Sequence, residues 1–139
     1  MVTRIDGWAR EMLERQGVFG TLATVSADGS PHQAVIWYLV RGDMLVVNSA
    51  VGRIWPTNLV RDPRCSIAVE GGYDWVGVRG RAEAITDQAT AQSDIATMAR
   101  RYHEADPATA EAMIRNTFQA QERISFVIHV DRVVEHPDA

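Results

Sequence analysis

The spacing of turns between residues 19 and 49 restricts this chain more than any other feature of its sequence. The segment reads FGTLATVSADGSPHQAVIWYLVRGDMLVVNS: three apolar, β-branched-rich runs parted only by short turn-forming stretches. Residues 19–26 read as a first strand. Ala27-Asp28-Gly29-Ser30-Pro31 reverses the chain, because Asp and Gly tolerate tight-turn dihedrals and Pro31 lacks the N–H that a central ladder needs. Residues 33–40 read as the second strand, Arg41-Gly42-Asp43 as a hairpin turn rather than an adhesion motif, and residues 44–49 as the third strand. Parallel neighbours would need a crossover of a dozen or more residues between them. These turns leave no room for one, so the sheet is expected to be antiparallel.

The flanking segments add helices and three more strands. Ile5, Trp8, Ala9, Met12 and Leu13 share one face of residues 4–16, an amphipathic helix that Gly17 is placed to end. In residues 52–61, Pro56 forbids a long strand, while Ile54, Leu59 and Val60 suit a short helix. Strands follow at 65–69 and 74–85, with Gly77 and Gly80 marking a bend, a bulge or a close approach. Helices are expected near 87–104 and 106–118, the second opened by an Asp106-Pro107 cap and first turn. A last strand covers 124–130, and Val133-Val134 continues it after a bulge at Asp131-Arg132. Six strands with few helices between them make the fold mainly β, an antiparallel barrel with peripheral helices. The expected organisation is one domain over residues 1–139, with an N-terminal helix to residue 17 and the barrel over 18–135.

Composition narrows the chemistry. All fourteen basic residues are arginine and the formal charge is −4. With no lysine, Schiff-base chemistry and a phosphate-loop lysine are excluded, and anions must be held by Arg, backbone N–H groups or hydroxyls. The net charge gives no overall attraction to nucleic acid or to an anionic membrane. One cysteine, Cys65, permits no internal disulfide, and the histidines show no metal-ligand spacing. The charged N-terminus does not suit a signal peptide and no apolar run suits a membrane span, so a cytoplasmic location is expected.

The residues richest in chemistry run from Asn48 to Leu59. Small polar residues end a strand, and Gly52 and Arg53 then open a helix. Its first N–H groups, the Ser49 hydroxyl and the Arg53 guanidinium can converge on a phosphate. Trp37 and Trp55 offer flat apolar surface for a ring. The plainer alternative makes Arg53 a solvent-facing charge and Trp55 a core or interface aromatic. His32 is either a hydrogen-bond donor to a ligand or a structural residue at a strand start. Arg79 and Arg81 share a strand face and either form an anion patch or pair with carboxylates. Tyr73 and Trp75 suit a subunit interface.

The order A-T-V-x-x-D-G-x-P, then G-R-x-x-x-x-N-L-x-x-D-P-R, then V-x-G-x-A-E resembles the pyridoxamine 5'-phosphate oxidase-like split barrels. Within them it is most similar to the branch that uses the deazaflavin coenzyme F420. The resemblance runs from about Phe19 to Glu83. It implies a six-stranded Greek-key split β-barrel of the FMN-binding type, and a homodimer with cofactor clefts at the subunit interface. Carried over by position, it implies cofactor contacts from Asn48, Ser49, Ala50, Gly52, Arg53 and Asn58. Pro31, His32, Gln33 and Trp37 would line the ring side, and the partner would contribute Trp75 or Arg79. The implied activity is an F420-dependent reductase acting on a planar conjugated small molecule, with no essential catalytic side chain and with His32 or backbone N–H groups able to stabilise charge or relay a proton. FMN-dependent chemistry, or a binding role toward flavin, F420 or haem without turnover, are the alternatives. One departure stands out: relatives of both cofactor types often carry a lysine or second arginine a few residues after the position of Arg53, and here Ile54, Trp55, Pro56 and Thr57 follow. The tail must then be gripped differently, or is bound weakly or not at all.

Overall fold

A computed structural model describes residues 3–138. Helix α1 (Gly7–Leu13) leads into strands β1 (Gly20–Val25), β2 (Pro31–Ile36), β3 (Leu39–Arg41) and β4 (Met44–Ala50). Helix α2 (Ile54–Arg61) follows, then β5 (Arg64–Gly71) and β6 (Asp74–Ile85). Helices α3 (Gln88–Tyr102) and α4 (Pro107–Asn116), a 3-10 turn (Phe118–Ala120) and β7 (Arg123–His136) complete the described chain. All strand pairs are antiparallel, in the order β2-β1-β5-β6-β7-β4-β3.

This corrects the expected six-stranded Greek-key split barrel to an open, seven-stranded half-barrel with peripheral helices. The strand expected over residues 33–40 is broken at Trp37-Tyr38, and its two halves lie on opposite edges of the sheet. Only two residues separate those edges in sequence, so the sheet must curl until they come within about 11 Å. No ladder joins β2 to β3 among the described residues, and the seam stays open. The break has a tertiary cause. The Tyr38 N–H donates to the Tyr102 hydroxyl at 3.3 Å, and the Tyr38 hydroxyl donates to the Leu13 carbonyl at 2.6 Å. Trp37 meanwhile stacks on Tyr102, with 5.1 Å between centroids and 11° between planes. A residue far along the chain therefore replaces the ladder bond that a continuous strand would make.

The bulge expected at Asp131-Arg132 is present. Arg79 pairs with Arg132 and Gly80 with Val130, which leaves Asp131 as the extra residue. A Cβ on Gly80 would stand 2.3 Å from the His129 carbonyl oxygen, so the strands can approach this closely only at a glycine.

Two apolar clusters hold the layers together. Leu22, Leu45, Val47, Ile67, Val76, Phe126 and Ile128 fill the concave side of the sheet, sealed by Ile5, Met12 and Leu13 of the N-terminal segment. On the convex side, Val46 packs with Ile95, Met98, Ala99, Ala110 and Ile114 beneath α3 and α4. Strand β4 is thus buried on both faces, which is why its sequence is apolar almost throughout rather than alternating. Asp87 and Asp106 cap α3 and α4, accepting hydrogen bonds from the Thr90 and Thr109 N–H groups.

Candidate functional site

The end of β4 and the start of β7 place polar side chains beside the α3–α4 helices. These strands pair in register, Asn48 with Ser125 and Ala50 with Arg123. After Ala50 the chain turns through Gly52, whose φ of +97° is costly for any residue with a side chain. Arg53 then stands at the N-cap of α2 in extended conformation, and no side chain caps the helix.

A cavity of about 320 Å³ opens between these strands, the Trp37 corner and the helices. Trp37, Ile95, Met98, Met113 and Phe118 supply apolar walls, and Asn48, Ser49, Arg53, Gln121 and Arg123 supply the polar groups. Trp37 meets Phe118 edge-on at 6.4 Å. The lining contains no Asp, Glu, His or Cys. Its size suits a small-molecule site, and flat apolar walls with a few fixed donors are what such sites use for orientation.

Arg123 is the residue that reading along the chain passed over. It is only 4% exposed. Its Nε donates to Asn48 Oδ1 at 3.0 Å, its Nη1 donates to Gln121 Oε1, and its Cζ lies 4.9 Å from the Phe118 ring centre. No carboxylate among the described residues pairs with it. Burial, reinforced by the nearby charge of Arg53, pushes its guanidinium down to about 10, so it stays charged at neutral pH. The only sequence signal was an arginine just ahead of the largely apolar run at residues 124–128.

Asn48 is almost fully engaged within the protein. Its Nδ2 donates to the Ala91 carbonyl and to Ser125 Oγ, both at 2.9 Å, while its Oδ1 accepts from Arg123. Ser125 Oγ donates to Asp94 at 2.7 Å, and Asp94 pairs with Arg41 at 3.0 Å. A network therefore runs from the half-exposed Arg41 through buried Asp94, Ser125 and Asn48 to the guanidinium in the cavity.

Of the residues expected to contact a cofactor, Trp37, Asn48, Ser49 and Arg53 line this cavity. Ala50 and Gly52 adjoin it in the chain without lining it. Asn58 is committed elsewhere, donating to Thr24 Oγ1 at 3.1 Å and accepting from Arg61 at 2.7 Å. His32 lies on β2, paired with Thr24 across the ladder, and lines neither this cavity nor the sheet-face hollow of Gln33, Trp75 and Arg79. That hollow lies on the convex face not covered by helices, and Arg79 also borders a second one with Pro31. The same face carries Val35 (71% exposed) and Trp75 (37%). Neither Arg79 nor Arg81 has a carboxylate partner among the described residues; Arg79 lies opposite Arg132, and Arg81 opposite Arg64. No cluster of metal-binding type occurs among the described residues, and no helix among them is long and apolar enough to cross a membrane.

Residues 6–135 match the family described as pyridoxamine 5'-phosphate oxidase. Among similar solved structures is one named F420 Reductase, 22% identical, covering 93% of this chain and 98% of that one with a TM-score of 0.73. A conserved hypothetical protein from Mycobacterium tuberculosis is 23% identical, with 98% and 92% covered and a TM-score of 0.74. The heme storage protein HutZ from Vibrio cholerae is 15% identical, with 96% and 95% covered and a TM-score of 0.68. At these identities the likeness is one of fold. No curated protein matches the chain.

Proposed function

Because the chain belongs to the pyridoxamine 5'-phosphate oxidase family, we propose that it is a homodimeric F420-dependent reductase acting on a planar, conjugated small molecule. One observation carries this reading: Trp37, Ser49 and Arg53, selected as ring and tail contacts from the sequence, border a single cavity with apolar walls. The lining suits a ring bearing an acidic tail. Trp37 and Phe118 supply flat surface, Arg53 supplies charge, and the uncapped start of α2 supplies N–H groups. When bound, a deazaflavin supplies the hydride chemistry. The chain's own part is to orient it, exclude water and hold its charged tail, since the lining offers no acid or base. The preference for F420 over FMN rests on the sequence resemblance.

The homodimer draws support from where the remaining residues lie. Gln33, Trp75 and Arg79 line a hollow on the bare sheet face rather than the cavity, so as cofactor contacts they would have to come from a second copy. The exposed Val35 and Trp75 suit burial in such a contact.

A second reading is a protein that binds flavin, F420 or haem without turnover. The absence of Asp, Glu, His and Cys from the cavity lining favours it. Parallel titrations with F420 and FMN, followed by ligand fluorescence, test the proposal together with sedimentation at micromolar protein. Saturable F420 binding by a dimer, and reoxidation of the reduced complex by an added quinone-like acceptor, are expected. Binding without reoxidation favours the storage reading, tighter FMN binding favours an FMN enzyme, and failure of both ligands refutes the proposal.

A further inference from the structure

We propose that Arg123 is the inner arm of an anion receptor: with Arg53 on the rim, it holds the phosphate or carboxylate of a ligand whose ring lies against Trp37 and Phe118, and Asn48 positions it. Arg123 is 4% exposed and unpaired by any described carboxylate, and the lining of its cavity is free of acidic side chains. A buried cation without a counter-ion is costly, and here a second cation, Arg53, borders the same space. This happens in a chain whose acidic residues outnumber its basic ones. The nearest network carboxylate, Asp94, is already matched by Arg41 at 3.0 Å and by the Ser125 hydroxyl.

Geometry then says which atoms serve a ligand. Asn48 Oδ1 takes Nε and Gln121 Oε1 takes Nη1, which locks the plane of the guanidinium. Nη2 makes no hydrogen bond among the described residues and is not fully sealed, which leaves it free for a ligand in the cavity that Arg123 lines. A fixed guanidinium with a free edge is a better oxyanion partner than a mobile one, because less side-chain entropy is lost on binding. Arg123 thereby supplies the second cation that residues 54–57 lack, from the far end of the sequence.

The test uses melting temperature and tryptophan fluorescence of the whole protein with phenyl phosphate, benzoate and the uncharged benzyl alcohol. Either or both acids should bind saturably and raise the melting temperature, with benzyl alcohol at least tenfold weaker. Comparing the two acids separates a phosphate ligand from a carboxylate one. Arg123→Met should weaken acid binding about tenfold or more and leave benzyl alcohol unchanged. Arg53→Met, at an exposed site, should weaken it in the same sense and decides the matter if the Arg123 variant does not fold. Asn48→Asp, in a variant that circular dichroism shows to be folded, should also abolish acid binding, because its carboxylate would occupy Arg123. No saturable acid binding by the native protein, or native affinity in folded Arg123→Met or in Arg53→Met, overturns the proposal. The inference does not depend on the deazaflavin reading. Acids that bind where F420 and FMN do not would refute that reading alone, and the reverse would refute this one alone.

Discussion

Replacing Asn48 by Ala probes the joint between fold and cavity. The substitution deletes two neutral hydrogen bonds, to the Ala91 carbonyl and Ser125 Oγ, and one from a charged group, Arg123 Nε. Neutral bonds contribute about 1 kcal/mol net each and a bond to a charged group about 1.5–3 kcal/mol, so the loss should be about 3–5 kcal/mol. For a chain of this length that lowers the melting temperature by roughly 10–20 °C. Urea denaturation followed by far-ultraviolet circular dichroism gives the free energy directly, with the m-value expected to stay constant. The double-mutant cycle with Arg123→Met is the sharper test. Once the guanidinium is gone, the same Asn48→Ala change should cost about 1.5–3 kcal/mol less. A single-variant loss below about 1 kcal/mol, or a cycle with no coupling, would show that Asn48 does not hold Arg123, and the reasoning about the network would fail.

Three further outcomes follow from the packing. Gly80→Ala places a Cβ 2.3 Å from the His129 carbonyl oxygen, so it should destabilise by about 3 kcal/mol or more; a variant that melts like the native protein would mean the β6–β7 ladder yields at the bulge. Burial holds the Tyr38 phenol well above its ordinary range. A raised pKa contributes stability that is complete below the unfolded value near 10 and is lost as pH rises beyond it. Tyr38→Phe should therefore reduce stability at pH 7 by about 1–2 kcal/mol, through the unpaired Leu13 carbonyl, and flatten the alkaline decline; equal slopes above pH 10 would contradict this. Burial likewise pushes the Cys65 thiol up to about 12. At pH 8 a thiol reagent should then modify it at least about tenfold more slowly than in the denatured chain, and labelling at the denatured rate would show that the site opens.

What the sequence alone determined is the local architecture. Turn chemistry at Ala27–Pro31 and Arg41–Asp43 forces antiparallel neighbours, because too few residues intervene for a crossover. The Asp106-Pro107 signal sets the start of α4, and the paired valines after Asp131-Arg132 disclose the bulge opposite Gly80. Each of these is a contest between a residue and its immediate neighbours, and periodicity or dihedral preference resolves it. The split of residues 33–40 into two edge strands was not legible, since Trp37 and Tyr38 are both good strand formers. Their ladder was lost to Tyr102, which is distant in sequence. The same holds for the cavity. Ser49 and Arg53 were found because a strand end and a helix start adjoin in the chain. Asn58 matched the motif but was taken up by Thr24 and Arg61. Arg123 carried no motif, and only the pairing of β4 with β7 brings it beside Asn48. Burial and charge compensation depend on which surfaces meet, and the meeting of surfaces is decided by the tertiary fold.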